Sequence, residues 1–226
     1  MYFFDISMII LIPGLLLGIY AQTKVSSSYK QYSKVFSHSG MSGAQFARKM
    51  LDENGLYDVS IMPISGHLTD HYDPRTKQVC LSGDIYNGTS IASLGIAAHE
   101  VGHAVQHSVG YFPLNIRNAV IPVTNFSSTL YFPIILLGLF INSYSLIKIG
   151  ILLFAFIVFF QLITLPVEFN ASNRAVATLQ SDGVLNADEV IGARKVLSAA
   201  ALTYVAAMVT ALLQLLQLVL VFGRRD

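Results

Sequence analysis

Residues 149–167 read IGILLFAFIVFFQLITLPV, a run without a single charged side chain. A helix needs about 20 apolar residues to cross the hydrocarbon core of a bilayer, so this run predicts a membrane-spanning helix. Residues 119–141 and 197–222 are also uncharged and apolar, and residues 2–21 carry one acid, Asp5. The whole chain is 54% hydrophobic and 12% charged, whereas soluble domains carry roughly 25% charged residues. We therefore predict a mainly α membrane protein with about four transmembrane helices; long helices buried in a soluble core are the alternative.

The first apolar run can be a membrane anchor or a signal peptide. It has no basic start, since the first lysine is Lys24, and it has no small-x-small cleavage site, so we interpret it as an anchor. Several lysines and arginines follow the run, and the positive-inside tendency then predicts that residues 22–117 lie in the cytoplasm. Arg224 and Arg225 oppose this rule if the last run spans the membrane; a re-entrant or docked last helix would remove the conflict.

The polar segment between the first two runs has the pattern of a small α+β domain. Ser42 and Gln45 have capping-box spacing and predict a helix that ends at Gly55. Two short strands, 58–65 and 78–82, flank a turn-rich loop. Residues 91–107 predict a second helix, which ends near Gly110.

That second helix carries a metal-binding pattern in residues 97–107, AAHEVGHAVQH. His99 and His103 lie one helical turn apart and can share one ion. Glu100 points about 100° away from His99 and suits a general base for a zinc-activated water. His107 is about 12 Å from His99 along the axis, so we expect it at the surface or behind the ligands. The alternative is a helix that carries two histidines by chance. It would bury two imidazoles and a carboxylate with nothing to offset the loss of their hydration.

Catalytic zinc usually has three protein ligands and a water. Few acids follow His103, and Glu168 stands out because it comes directly after an apolar run, where an unpaired carboxylate is costly. Glu168 is therefore the candidate third ligand, and a solvated acid at the start of the next helix is the alternative. The single cysteine, Cys80, rules out an intrachain disulfide and a four-thiolate site. A net charge of +1 argues against nucleic acid as a partner.

The motif HEVGHA at 99–104, followed by LPVEFNASNRA at 165–175, resembles the YugP-like neutral zinc metallopeptidases, bacterial membrane proteins of the gluzincin type. The stretch from Asp70 to the HEVGHA helix is similar as well, and the resemblance covers nearly the whole chain. It is also distantly similar to the HtpX and CAAX-prenyl proteases, whose E-x-x-A-D segment supplies the third zinc ligand. By this resemblance Glu168 is the ligand. Asn170 and Ser172 stand where these families have an acid, which leaves the partner of the zinc histidines unassigned.

The resemblance implies a zinc metalloendopeptidase with one Zn²⁺ on His99, His103 and Glu168 and with Glu100 as the base. His71, Tyr72 and Arg174 are candidates for a second electrophile. Strand 78–82 could bind an extended substrate by strand addition, or it could be an internal strand. A non-catalytic zinc adaptor and an intramembrane site-two-type protease are the alternative functions.

We expect a multi-pass protein of the bacterial cell membrane whose site faces the cytoplasm. Its partners would be the bilayer and protein or peptide substrates, including membrane proteins in quality control. We divide the chain into an anchor (1–21), a zincin-like catalytic segment (22–117), a transmembrane hairpin (118–167), a helical segment with the third ligand (168–196) and a last apolar helix (197–226).

Overall fold

The computed structural model describes residues 6–222 and is mainly helical, as predicted. A 3-10 helix, Ile6–Leu11, leads into the first α-helix. The α-helices are α1 (Ile12–Tyr32), α2 (Gly43–Glu53), α3 (Gly83–Tyr86), α4 (Ile91–Ser108), α5 (Phe112–Phe140), α6 (Tyr144–Ser181) and α7 (Ala187–Phe222). The strands are β1 (Ser60–Ile64), β2 (His71–Asp73) and β3 (Gln78–Ser82).

Within residues 6–222, four helical stretches are long and apolar enough to cross a membrane, which confirms the predicted number. They are Met8–Tyr32, Phe112–Phe140, Tyr144–Ser181 and Ala187–Phe222. Each is longer than the apolar run that predicted it, because polar residues continue the same helix. All four predicted segment boundaries consequently fall inside helices: 21/22 in α1, 117/118 in α5, 167/168 in α6 and 196/197 in α7. Residues 2–5 of the first run, together with Arg224 and Arg225, lie outside the described residues.

The predicted capping box at the start of α2 is confirmed. The Ser42 hydroxyl accepts a hydrogen bond from the Gln45 amide, and the Gln45 side chain accepts one from the Ser42 amide. Asn186 and Glu189 form an equivalent reciprocal pair at the start of α7. Helix α2 therefore begins where the sequence predicts. Both pairs satisfy amides that have no partner within the helix.

The sheet differs from the prediction in one strand. Its order is β1-β3-β2, with β1 parallel and β2 antiparallel to the central strand β3. We predicted β1 and β3, but β2 falls in the stretch that we predicted as loop. A strand of three residues carries too little alternation to be recognised, and only its pairing with β3 defines it. Substrate addition to β3 is wrong, because both edges of that strand are already paired.

Helix α4 lies at the centre of the core and packs against α2, α6 and α7. Its small side chains, among them Ala97, Ala98 and Ala104, are fully or almost fully buried. Gly102 contacts the backbone of α6: a Cβ built at this position would lie 2.9 Å from the Ala171 carbonyl oxygen. A glycine, which has no Cβ, allows this close backbone approach. The approach holds α6 against the face of α4 that carries the two histidines.

Candidate metal centre

Two helices bring the predicted ligands together. His99 and His103 lie one turn apart on α4, with ring centroids 4.7 Å apart. Glu168, from the middle of α6, lies opposite them, with its Oε2 3.4 Å from His99 Nε2 and 3.7 Å from His103 Nε2. One donor atom from each of the three residues lies within 4.8 Å of the other two. The three residues can therefore hold one metal ion.

The surroundings of Glu168 test whether an ion fits. Its side chain is 3% exposed, and among the described residues its Oε2 has no hydrogen-bond partner. A buried carboxylate oxygen without a partner is costly. Ligands about 2.0–2.1 Å from a tetrahedral zinc lie about 3.3 Å from one another, close to both Nε2–Oε2 distances. The donor set and its spacing thus fit zinc better than a direct hydrogen bond.

Two polar side chains orient the histidine rings from behind. His103 Nδ1 lies 3.0 Å from Gln106 Oε1, and His99 Nδ1 lies 3.2 Å from the Ser172 hydroxyl. The Gln106 oxygen can only accept, so His103 carries its proton on Nδ1 and presents Nε2 to Glu168. Such partners fix the tautomer and direction of metal-binding imidazoles. An amide and a hydroxyl therefore occupy the role for which the sequence offered no carboxylate.

Gln106 is itself fixed by α6. It is fully buried, and its amide donates to the Val167 carbonyl at 2.8 Å and to Asn170 Oδ1 at 3.0 Å. Arg174 Nε donates to the same Asn170 oxygen at 2.8 Å. Two donors therefore hold the Asn170 amide with its oxygen towards Gln106. Arg174 makes this contact behind the ligands, and it is not among the residues that line the cavities around them.

Glu100 lies beside the cluster and is 8% exposed. Burial raises the pKa of Glu100 above its ordinary value, and the two imidazoles oppose that shift only in part. A general base that works near neutral pH needs such a raised pKa. Burial lowers the pKa of His103, but the carboxylates of Glu168 and Glu100 raise it by more, so its pKa lies above the ordinary value. The same negative charge would favour a bound cation.

Two cavities open onto the cluster, and His99, Glu100 and Glu168 line both. The larger, of about 840 Å³, lies towards the C-terminal end of α4, between α5 and strand β2. The smaller, of about 330 Å³, lies among α1, α4, α6 and α7. The carboxylates of Glu100 and Glu168 thus line cavities on two sides of the cluster.

The two other histidines considered in the sequence, His71 and His107, lie outside the His–His–Glu cluster. His71 lines the larger cavity and its Nδ1 lies 2.9 Å from the Thr69 carbonyl oxygen. His107 lines the same cavity but is not part of the group that could hold an ion. Its Nδ1 lies 2.9 Å from the Tyr72 hydroxyl. The Tyr72 hydroxyl therefore points towards α4.

Three further side chains at the site were not predicted from the sequence. Arg117 Nη1 lies 3.5 Å from Glu168 Oε1, Tyr204 lines both cavities, and Asp70 accepts hydrogen bonds from the amide and hydroxyl of Ser82. Arg117 carried a signal, since it is a lone cation at the start of an apolar helix. Tyr204 carried none, because a tyrosine within an apolar helix is ordinary.

Fold and site together define a helical protein with membrane-length apolar helices and a buried His–His–Glu cluster suited to a metal ion. The chain belongs to the family described as "putative neutral zinc metallopeptidase", whose model matches residues 7–223. It is also 50% identical over 211 residues to the "Putative membrane protease YugP" of Bacillus subtilis (strain 168), covering 93% of this chain and 94% of that relative. The resemblance noted in the sequence is thus confirmed. No solved structure matches the chain significantly.

Proposed function

We propose that this protein is a membrane-bound zinc metalloendopeptidase with one zinc ion on His99, His103 and Glu168. The observation that carries the proposal is the position of Glu168 Oε2. This buried oxygen faces the Nε2 atoms of both histidines and lacks a hydrogen-bond partner among the described residues. Without a cation this arrangement would be destabilising, because the buried oxygen would have no partner. A bound cation would be the partner of this oxygen and of both Nε2 atoms. The family and its membrane protease relative support the assignment.

The residues around the cluster account for the chemistry. When bound, the zinc ion supplies Lewis acidity, which lowers the pKa of a water and polarises the scissile carbonyl. Glu100 accepts the proton of that water and later donates it to the leaving amine. Its burial favours this role, because a raised pKa lets the carboxyl group both take and return a proton near neutral pH.

Arg117 and Tyr204 are the best-placed groups to stabilise negative charge on the substrate. Both line the larger cavity together with Glu168, and Arg117 Nε is buried without a partner in the described part of the chain. A preorganised donor of this kind stabilises the oxyanion of the transition state. His71 lines the same cavity and remains a candidate. Arg174 is assigned a positioning role instead, through Asn170 and Gln106.

The substrate backbone has a suitable edge at β2. This strand pairs with β3 on one side only, and residues 70–73 line the larger cavity. An extended peptide can add to such an edge through main-chain hydrogen bonds, which is a common mode of peptide recognition. The strand-addition role that we expected for β3 is therefore proposed for β2.

The protein would be a multi-pass protein of the bacterial cell membrane with its site on the cytoplasmic side. Four membrane-length helices among residues 6–222 and the membrane protease relative support the location, and the lysines and arginines after the first span support the orientation. Protein or peptide substrates, including membrane proteins in quality control, fit a site next to these helices. An intramembrane site-two-type protease fits less well, because α4 is not one of the four candidate spans. A non-catalytic adaptor has no need of Glu100.

Replacing Glu100 with glutamine tests the proposal. Glu100→Gln should bind one zinc ion like the wild type but lose about 10²–10⁴-fold in peptide cleavage, because no other group would accept the proton. Glu53→Gln, on the exposed end of α2, is the matched control and should keep full cleavage. Both variants should be purified in detergent, assayed for zinc and tested with an unfolded protein substrate. Cleavage at the wild-type rate by Glu100→Gln would exclude the proposed enzyme.

A further inference from the structure

A third cavity, of about 170 Å³, lies between α6 and α7 and takes no part in the proposed chemistry. Arg194, Asn173 and Ser198 place hydrogen-bond donors in its wall, and Phe169 and Val176 add apolar surface. Among the described residues that line it there is no acid. The cavity therefore has a positive charge and an apolar side.

The donors of this cavity have no partner within residues 6–222. The side chains of Arg194, Asn173 and Ser198 form no hydrogen bond or ion pair with another described residue. A guanidinium group is always charged and binds the oxygens of a phosphate through two parallel hydrogen bonds. A phosphate group, whose ionised oxygens accept hydrogen bonds, therefore matches these three side chains.

The cavity lies at the level where two apolar runs end. The uncharged run of α6 ends at residue 167, and that of α7 begins at residue 197. A short connection joins the two helices, so they run in opposite directions, and they pack against each other. The lining residues lie between 169 and 176 on α6 and between 194 and 201 on α7. Charged side chains at such positions reach the headgroup layer of a bilayer.

An exposed apolar surface leads from the cavity towards the middle of the span. Phe169 lines the cavity and is 44% exposed, and Leu162, seven residues earlier on α6, is 45% exposed. Seven residues are about two helical turns, so both side chains lie on the same face of α6. A hydrocarbon chain attached to a phosphate in the cavity can therefore lie along this face.

We infer that this cavity binds the headgroup phosphate of an anionic phospholipid. Arg194 pairs with the phosphate, and the acyl chain lies against Phe169 and Leu162. A zwitterionic headgroup fits less well, because its ammonium group finds no acid among the described lining residues. Basic pockets between membrane helices recognise anionic lipids by the same chemistry.

The lipid site adjoins the candidate metal centre. Ser172, Leu197 and Ala201 line both this cavity and the smaller cavity at the cluster. The Ser172 hydroxyl also lies 3.2 Å from His99 Nδ1. A bound lipid therefore packs against residues that form a wall of the site.

The test compares two lipids that differ only in the headgroup. The full chain, purified in detergent, is titrated with phosphatidylglycerol or with phosphatidylcholine of the same acyl chains, and bound lipids are counted by native mass spectrometry. The wild type should bind one phosphatidylglycerol about fivefold more tightly than phosphatidylcholine. Equal affinities for the two lipids would overturn the inference.

Two variants locate the binding to the cavity. Arg194→Gln should weaken phosphatidylglycerol binding about tenfold, because a hydrogen-bonded charge pair is lost. Lys195→Gln is the matched control: it removes the same charge at the next position, which is exposed and does not line the cavity. It should keep the wild-type affinity. An equal loss in both variants would assign the binding to the general charge of α7 and would overturn the site.

Ser198→Phe is a second variant of the cavity, in case Arg194→Gln does not fold. Its ring occupies the space of the phosphate and should also weaken binding, and the melting temperature in detergent identifies a misfolded variant. Inorganic phosphate is titrated in the same way. If it bound as tightly as phosphatidylglycerol, the cavity would be a site for free phosphate and the lipid assignment would be wrong. Peptide cleavage is not measured, so the lipid site and the proposed enzyme stand or fail separately.

Discussion

Replacing Gly102 with alanine inserts a methyl group into a close contact between the two helices that carry the candidate metal ligands. The new Cβ would lie 2.9 Å from the Ala171 carbonyl oxygen and 3.2 Å from Ala171 Cα. Ordinary contact begins at 3.4 Å, so α6 has to move by about 3.4 − 2.9 = 0.5 Å. Glu168 lies one turn earlier on the same helix and moves with it. A displacement of about 0.5 Å is the limit within which a functional site keeps its geometry.

The effect of Gly102→Ala on the free energy of unfolding has two contributions of opposite sign. Overpacking costs about 1–3 kcal/mol, whereas alanine in a helix interior is about 1 kcal/mol better than glycine. Stability should therefore change little or fall by up to about 2 kcal/mol, while zinc affinity should fall at least about tenfold because a ligand is displaced. Gly95→Ala is the matched control on the same helix, since its Cβ would lie 3.6 Å from the nearest atom, Ala193 Cβ.

Zinc affinity is measured by competition with a chromophoric chelator, and stability by the melting temperature in detergent. Gly95→Ala should bind zinc like the wild type and melt at the same or a higher temperature. If Gly102→Ala showed that same behaviour, the close approach of α4 and α6 would not be what positions Glu168, and the reasoning would be refuted.

Two further predictions concern the support of the site. Gln106→Leu should weaken zinc binding about 10–100-fold, since His103 loses the acceptor of its Nδ1 proton. Ser172→Ala should weaken zinc binding less, because the contact between Ser172 and His99 is longer, at 3.2 Å. Equal zinc affinities of the two variants in the same chelator competition would contradict this order. The Lys49–Asp182 ion pair, 2.6 Å long, joins α2 to the end of α6. Burial raises the pKa of Asp182, but the hydrogen bond from Lys49 contributes to a larger lowering, so the pKa lies below its ordinary 3.8. A lowered pKa gives stability that is present above about pH 4 and is lost as the pH falls through the folded pKa. Asp182→Asn should therefore lower the free energy of unfolding by about 0.5–1 kcal/mol at pH 7 and leave it unchanged at the acid end of a series of melting curves. A loss of the same size at every pH would contradict this role of the ion pair.

The three residues of the candidate metal site were predictable because each depends on a local pattern. His99 and His103 follow from helical spacing alone, and Glu168 from the cost of a carboxylate at the end of an apolar run. The capping pairs at Ser42 and Asn186 likewise involve residues three apart. Such features need no knowledge of the tertiary fold.

The features that were not predicted depend on contacts between distant segments. Strand β2 exists only through its pairing with β3, and Arg117 reaches Glu168 from a different helix. Gln106 would have been the easiest of these to predict, since it lies three residues after His103 on the same face of α4. We expected an acid as the partner of a zinc-binding histidine, although an amide oxygen can orient an imidazole as well.

The central claim is that Glu168 completes a zinc site across α4 and α6. It is tested most directly by the zinc content of purified Glu168→Ala, with Glu189→Ala as the control. Glu189 is also a buried glutamate, but it caps α7 and pairs with His38. The wild type and Glu189→Ala should retain one zinc ion per chain after dialysis, and Glu168→Ala should retain almost none. One zinc ion per chain in Glu168→Ala, with an affinity equal to that of the wild type, would contradict the claim.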